Sequence, residues 1–145
     1  MPDDMPDLEA NKALVRRYFE IIDAGDVERI DEVLAPDFVS HSPPYPGLPE
    51  NLDGVRRGWA MSLAAFTGYS HVIEQQVAEG DRVATLTTAS GTHTGEYRGL
   101  AGTGRQVSIQ GISIHRIAGG RIAEHWGRSD ILGLLQQMGG AQNTT

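Results

Sequence analysis

Residues 113–130 read SIHRIAGGRIAEHWGRSD. Two β-rich runs flank Gly119-Gly120, the two-residue turn that tight hairpins favour. With that turn, Ala118 faces Arg121, His115 faces Glu124, Ile114 faces His125 and Ser113 faces Trp126. Facing residues share a side of the sheet. One side then carries Ser113, His115, Ile117, Ile122, Glu124 and Trp126, and the other Ile112, Ile114, Arg116, Ala123 and His125. In this register the two histidines do not meet, and Asp130 follows just beyond Trp126. A turn one residue longer exchanges the faces.

Working outward, the apolar residues Leu14, Val15, Tyr18, Phe19 and Ile22 recur at helical spacing and predict a helix from Asp7 to about Ala24. Asp26 reads as the cap of a second, short helix, which Pro36 stops. DFVSH (37–41) is a short extended piece, and SPPYPGLPE (42–50) is a surface loop. A third helix is expected from Leu52 to Phe66, with Val55, Trp59, Leu63 and Phe66 on one face. The period then changes to two. Strands are expected at 70–79, 82–94, 105–117 and 121–128, followed by a helix over 131–138 that the glycines at 139–140 end. The first six residues and the last five read as loose ends. Helices segregated from consecutive hairpins predict an α+β domain, with helices on one face of a bent antiparallel sheet and a pocket between them.

The 145 residues form a single expected domain, ordered over about 7–140. A net charge of -7 argues against nucleic acid or anionic membrane as a partner. The absence of cysteine excludes disulfides and thiolate nucleophiles and fits a cytoplasmic protein. The acidic start MPDDMPDLEA lacks the basic and apolar runs of a secretory signal, and no stretch has the length of a membrane-spanning helix. No His-x-His or His-x-x-x-His pattern with a third ligand points to a metal.

The segments NKALVRRYFEIIDAGDVERIDEVLAPDFVSH and EGDRVATLTTASGTHTGEYRGLAGTGRQVSIQGISIHRIAGGRIAEHW, followed by Asp130 and LLQQMGG, resemble the SnoaL-like polyketide cyclase (ester cyclase) family of the NTF2-like superfamily. The likeness runs over about residues 11–140. It implies a cone-shaped α+β barrel, its bent sheet packed against three N-terminal helices and a short C-terminal one. It also implies cofactor-free ring closure by intramolecular aldol condensation on a hydrophobic aromatic carbonyl or ester. By the same resemblance Asp130 matches the general base and His115 the assisting histidine, while His41, His93 and Trp126 line the cavity.

The residues carry their own readings beside this one. A partly buried Asp works as a base because desolvation raises its proton affinity, and a neutral His or Ser113 can donate to a developing enolate oxygen. Asp130 also sits where a helix cap belongs. Trp59 is expected in the core, touching ligand. His125 is expected on the opposite face in a structural role, and His71 at an exposed strand start. Two rival functions share the cone: epoxide opening or isomerisation, and a non-catalytic ligand-binding or dimerisation module, for which Asp130 is a plain cap. A homodimer is expected through the outer sheet face, around Ile112, Ile114 and Ala123.

Overall fold

The computed structural model describes residues 5–139. The expected loose ends at 1–4 and 141–145, and the second glycine of the 139–140 pair, lie outside them. Helix α1 (Leu8–Asp23) is capped by the Asp7 carboxylate, which accepts from the Ala10 N–H, and it buries Val15, Tyr18, Phe19, Ile21 and Ile22. A 3-10 helix (Val27–Glu32) follows and leads directly into β1 (Leu34–Ser40). The expected strand thus begins three residues early and contains Pro36. Proline lacks an N–H to give to a ladder, and β1 tolerates it because it lies at the edge of the sheet.

Helix α2 (Leu52–Ala65) is capped by Asn51 and runs without a loop into β2 (Phe66–Glu79). Phe66, expected on the helical stripe, is the first strand residue, with φ -127 and ψ 119. Strands β3 (Arg82–His93), β4 (Gln106–Ala118) and β5 (Arg121–Ser129) complete an antiparallel meander, and α3 (Ile131–Gln137) follows. The sheet order is β1-β5-β4-β3-β2, with β1 parallel to β5. The sheet is therefore mixed rather than antiparallel throughout, and open between its two edges. None of the described helices is long and apolar enough to cross a membrane.

Two apolar clusters hold the helices to the inner sheet face. One joins Val15, Phe19, Ile22, Ile30 and Leu34 to Val83, Ile117 and Ile122; the other joins Tyr45, Phe66, Tyr97 and Val107 to Leu134 and Met138.

The β4–β5 register departs from the expected one after two pairs. Ala118 faces Arg121 and Ile117 faces Ile122, but Arg116 then faces Glu124, His115 faces His125 and Ile114 faces Trp126. Ala123 is the extra residue of a β-bulge, two residues on β5 opposing one on β4. The turn length was read correctly, but the bulge exchanges the faces of everything beyond it. His125 turns inward to meet His115, while Glu124 and Trp126 turn outward.

Candidate active site

A cavity of about 430 Å³ lies between α1, α2 and the inner face of β3–β5. A smaller one of about 150 Å³ shares Pro44, Trp59, Tyr69, Ala89 and Ile109 with it. The larger volume suits a small organic ligand. The proline-rich loop contributes Pro43 and Pro44 to the wall, and it is fastened at Pro44 and Tyr45. The Tyr45 hydroxyl bonds Ser62 Oγ at 2.8 Å, and Arg98 donates to the Pro44 carbonyl at 2.9 Å.

One wall is the histidine pair made by the bulge. His115 is 2% exposed, and its ring lies 5.0 Å from that of His125. His125 Nδ1 bonds Ser40 Oγ at 2.9 Å. His115 Nδ1 is buried without a partner. Burial, with the neighbouring His125 adding to it, holds His115 well below the ordinary histidine value. Burial, helped by His41, lowers His125 to about 4. Both rings are therefore neutral at pH 7, each with a donor N–H and an acceptor lone pair. Gly127 makes room for them, since a Cβ there would lie 2.8 Å from His125 Nε2.

A second wall is built from α1, α2 and β2. Asp23, the last residue of α1, accepts the His71 backbone N–H at 2.8 Å and meets His71 Nδ1 at 2.7 Å. The His71 ring is flanked by Phe19 at 4.8 Å, Tyr69 at 5.1 Å and Trp59 at 5.4 Å. Trp59 Nε1 donates to the Tyr18 hydroxyl at 2.6 Å. Burial pushes that hydroxyl, and the one on Tyr69, well above their ordinary values, so both remain protonated. The Phe19 ring touches both walls, 4.8 Å from His71 and 6.4 Å from His115.

The family's sequence profile, SnoaL-like polyketide cyclase, matches residues 12–138. The chain belongs to that family. Among SnoaL-like relatives, the chain is 31% identical over 133 residues to the aklanonic acid methyl ester cyclase DauD of Streptomyces sp. (strain C5), covering 87% of this chain and 80% of that one. It is 29% identical over 133 residues to the aklanonic acid methyl ester cyclase DnrD of Streptomyces peucetius, covering 87% and 88%. The IdmH structure from Streptomyces antibioticus superposes with a TM-score of 0.79 at 33% identity, covering 89% of this chain and 98% of that one.

In this SnoaL-like chain the expected site residues divide. His115, Ser113, Trp59 and His41 border the cavity. Trp126 does not. The bulge sends it to the outer face, where it stacks on His41 at 4.9 Å and lies under the Arg82 guanidinium at 5.4 Å. His41 also bonds Glu124 at 2.8 Å, and Glu124 pairs with Arg116. The His41 bond, and then the Arg116 bond, lower the Glu124 carboxyl below its ordinary value. His93, expected at the pocket mouth, is fully buried against Phe66 outside both cavities, with Nδ1 3.0 Å from Thr103 Oγ1. Asp130 is exposed and caps α3, accepting the Gly133 N–H at 3.0 Å, while its neighbours Ser129 and Ile131 line the cavity.

Sequence reasoning missed His71 and Asp23, and it put His125 on the wrong side. The His125 error came from one residue of register. The Asp23–His71 contact joins positions 48 apart, and no local pattern announces it. One signal was present: a polar Asp closing an amphipathic helix just before Gly25, close to where β2 must pass.

Proposed function

We propose that this protein is a cofactor-independent cyclase that enolises a hydrophobic aromatic keto ester inside the cavity and closes a ring by intramolecular aldol reaction. The observation that carries the reading is the pair of neutral histidines, buried His115 and half-buried His125, facing an apolar, aromatic-lined space of ligand size. The relation to two aklanonic acid methyl ester cyclases supports the substrate class. A neutral imidazole N–H, kept from charging by burial, polarises a carbonyl and stabilises the oxyanion that forms on enolisation. Ser113 and Trp59 shape the pocket, and holding the two reacting carbons together contributes much of the rate.

Asp130, the base by family resemblance, points its capping oxygen at α3 rather than into the cavity. That geometry favours a second reading, a ligand-binding module in which Asp130 is a plain cap. Epoxide opening is less well supported, because Arg116 lies on the outer face with Glu124. Following α-proton exchange of ethyl benzoylacetate in heavy water by NMR separates the first two. Acceleration over buffer supports enolisation. Tight binding of the ester without acceleration moves the protein to the binding class.

As partner, a second copy of the chain is proposed on the outer sheet face. Val72 (58% exposed), Val77 (64%), Ile112 (51%) and Ile114 (39%) lie there. Ala123 is buried instead. Sedimentation equilibrium of the wild type and of Ile112→Glu tests it, and a monomeric wild type refutes it.

A further inference from the structure

We propose that His71, oriented by Asp23, is the proton-accepting residue of the cavity, with Nε2 as the atom that takes the α-proton. This deepens the enolisation reading and rests on it.

The tautomer follows from hydrogen-bond bookkeeping. An ionised carboxylate only accepts. Asp23 Oδ2 is committed to the His71 backbone N–H at 2.8 Å, and Oδ1 lies 2.7 Å from Nδ1. Nδ1 must therefore carry a proton, and in the neutral ring the lone pair then lies on Nε2. Nε2 has no hydrogen-bond partner among the described residues, and His71 lines the cavity. The side chain is 4% exposed and fixed between Phe19, Tyr69 and Trp59. A base whose second nitrogen is held by a carboxylate is the arrangement that proton-transferring histidines use elsewhere. Of the other cavity histidines, His125 is tied to a neutral serine and His115 Nδ1 has no partner; His41 has a carboxylate partner in Glu124, but its Nε2 is the nitrogen so held and its ring is 39% exposed and stacked on Trp126.

The step balances. The Nε2 lone pair takes a proton from the carbon alpha to a carbonyl, and the C–H pair becomes the enolate, whose oxygen lies toward His115. The imidazolium is held against Asp23. The enolate carbon bonds to the second carbonyl carbon of the same molecule, that C=O pair becomes an alkoxide, and the alkoxide recovers the proton from Nε2. The titratable groups facing His71 or its cavity are Asp23 and Tyr18 from α1, His41 after β1, Tyr69 from β2, His115 from β4 and His125 from β5. Arg98 and Arg128 line the same cavity.

The test is the pH profile of ethyl benzoylacetate exchange for wild type, His71→Gln and Asp23→Asn, with ¹⁵N NMR of the His71 ring. His71→Gln is expected to lose roughly 100-fold, the scale of general-base catalysis. Asp23→Asn is expected to lose about 10-fold and to move the acidic limb, where activity rises as the base loses its proton, to lower pH, since the imidazolium loses its counter-charge. The NMR signal should show Nδ1 protonated and Nε2 bare. A folded His71→Gln as active as wild type, or a proton on Nε2, overturns the assignment and leaves the cyclase reading standing. An inactive wild type overturns the cyclase reading and this inference together. Should His71→Gln not fold, an unshifted pH profile in Asp23→Asn overturns the inference.

Discussion

The two faces of the β4–β5 hairpin differ more than their sequence suggests. The inner face sets two histidines ring to ring, His115 buried and His125 half-buried, and burial holds both neutral. The outer face sets His41, Glu124 and Arg116 in a chain of charge-assisted bonds, with Trp126 between His41 and Arg82. Histidine and carboxylate alternate along one strand, and a single unpaired residue, Ala123, assigns each to its environment. The same side-chain type is a hydrogen-bonding group of the cavity wall inside and a carboxylate's hydrogen-bond partner outside.

His125→Glu breaks this contrast most severely. It sets a carboxylate on the inner face against His115, which burial keeps uncharged. Burying an unpaired carboxylate costs about 3–5 kcal/mol, so cooperative thermal unfolding should be lost or shifted far down. A variant that unfolds like wild type refutes the assignment of faces.

Acid acts on the inner face next. Burial depresses His115 and His125, so below about pH 6.5 the unfolded chain binds more protons than the folded one, and stability falls as pH drops toward 4. For His125 alone the loss approaches about 3 kcal/mol by pH 4. Urea midpoints between pH 7 and 4 measure it, and His125→Gln should flatten the curve. Glu124 is also depressed, so its contribution is lost in the same direction, but only below its ordinary value of 4.5.

Gly127→Ala sharpens the contrast further. The new methyl meets the His125 ring, and such overpacking costs about 1–3 kcal/mol. Proton exchange should fall with stability. On the outer face, Trp126→Ala removes one stack and one cation–π contact, about 1–2 kcal/mol together, and should leave exchange at the wild-type rate. Asp130→Asn is the mildest change. Asn caps a helix as well as Asp does, so the melting temperature should hold to within a degree or two. Collapse of exchange in this variant would return the base to position 130.

The fold was legible because its signals are local. Helical spacing from Leu14 to Ile22, period two after residue 69, and Gly119-Gly120 each set one element. The site was legible only in part. His115, Ser113 and Trp59 lie on stretches of regular period, so their faces could be read. Trp126 and His125 lie beyond a bulge that Ala123 does not advertise, since alanine fits a regular strand as well. The Asp23–His71 contact depends on how α1 crosses β2, a packing angle that neither segment encodes alone.

The proline-rich loop has a consequence for how such a cavity changes shape over time. The Pro49 carbonyl occupies the space a side chain at Gly54 would need, and Pro44 does the same at Gly58. Along this stretch helix and loop are in backbone contact, like two tiles without grout. New ligand shapes cannot be accommodated by altering α2 at positions 54 and 58, because any added carbon lifts the loop away. Divergence among relatives in what they accept should therefore concentrate at side chains that reach the cavity from the loops, such as Pro43 and Arg98, while the glycines beneath stay fixed.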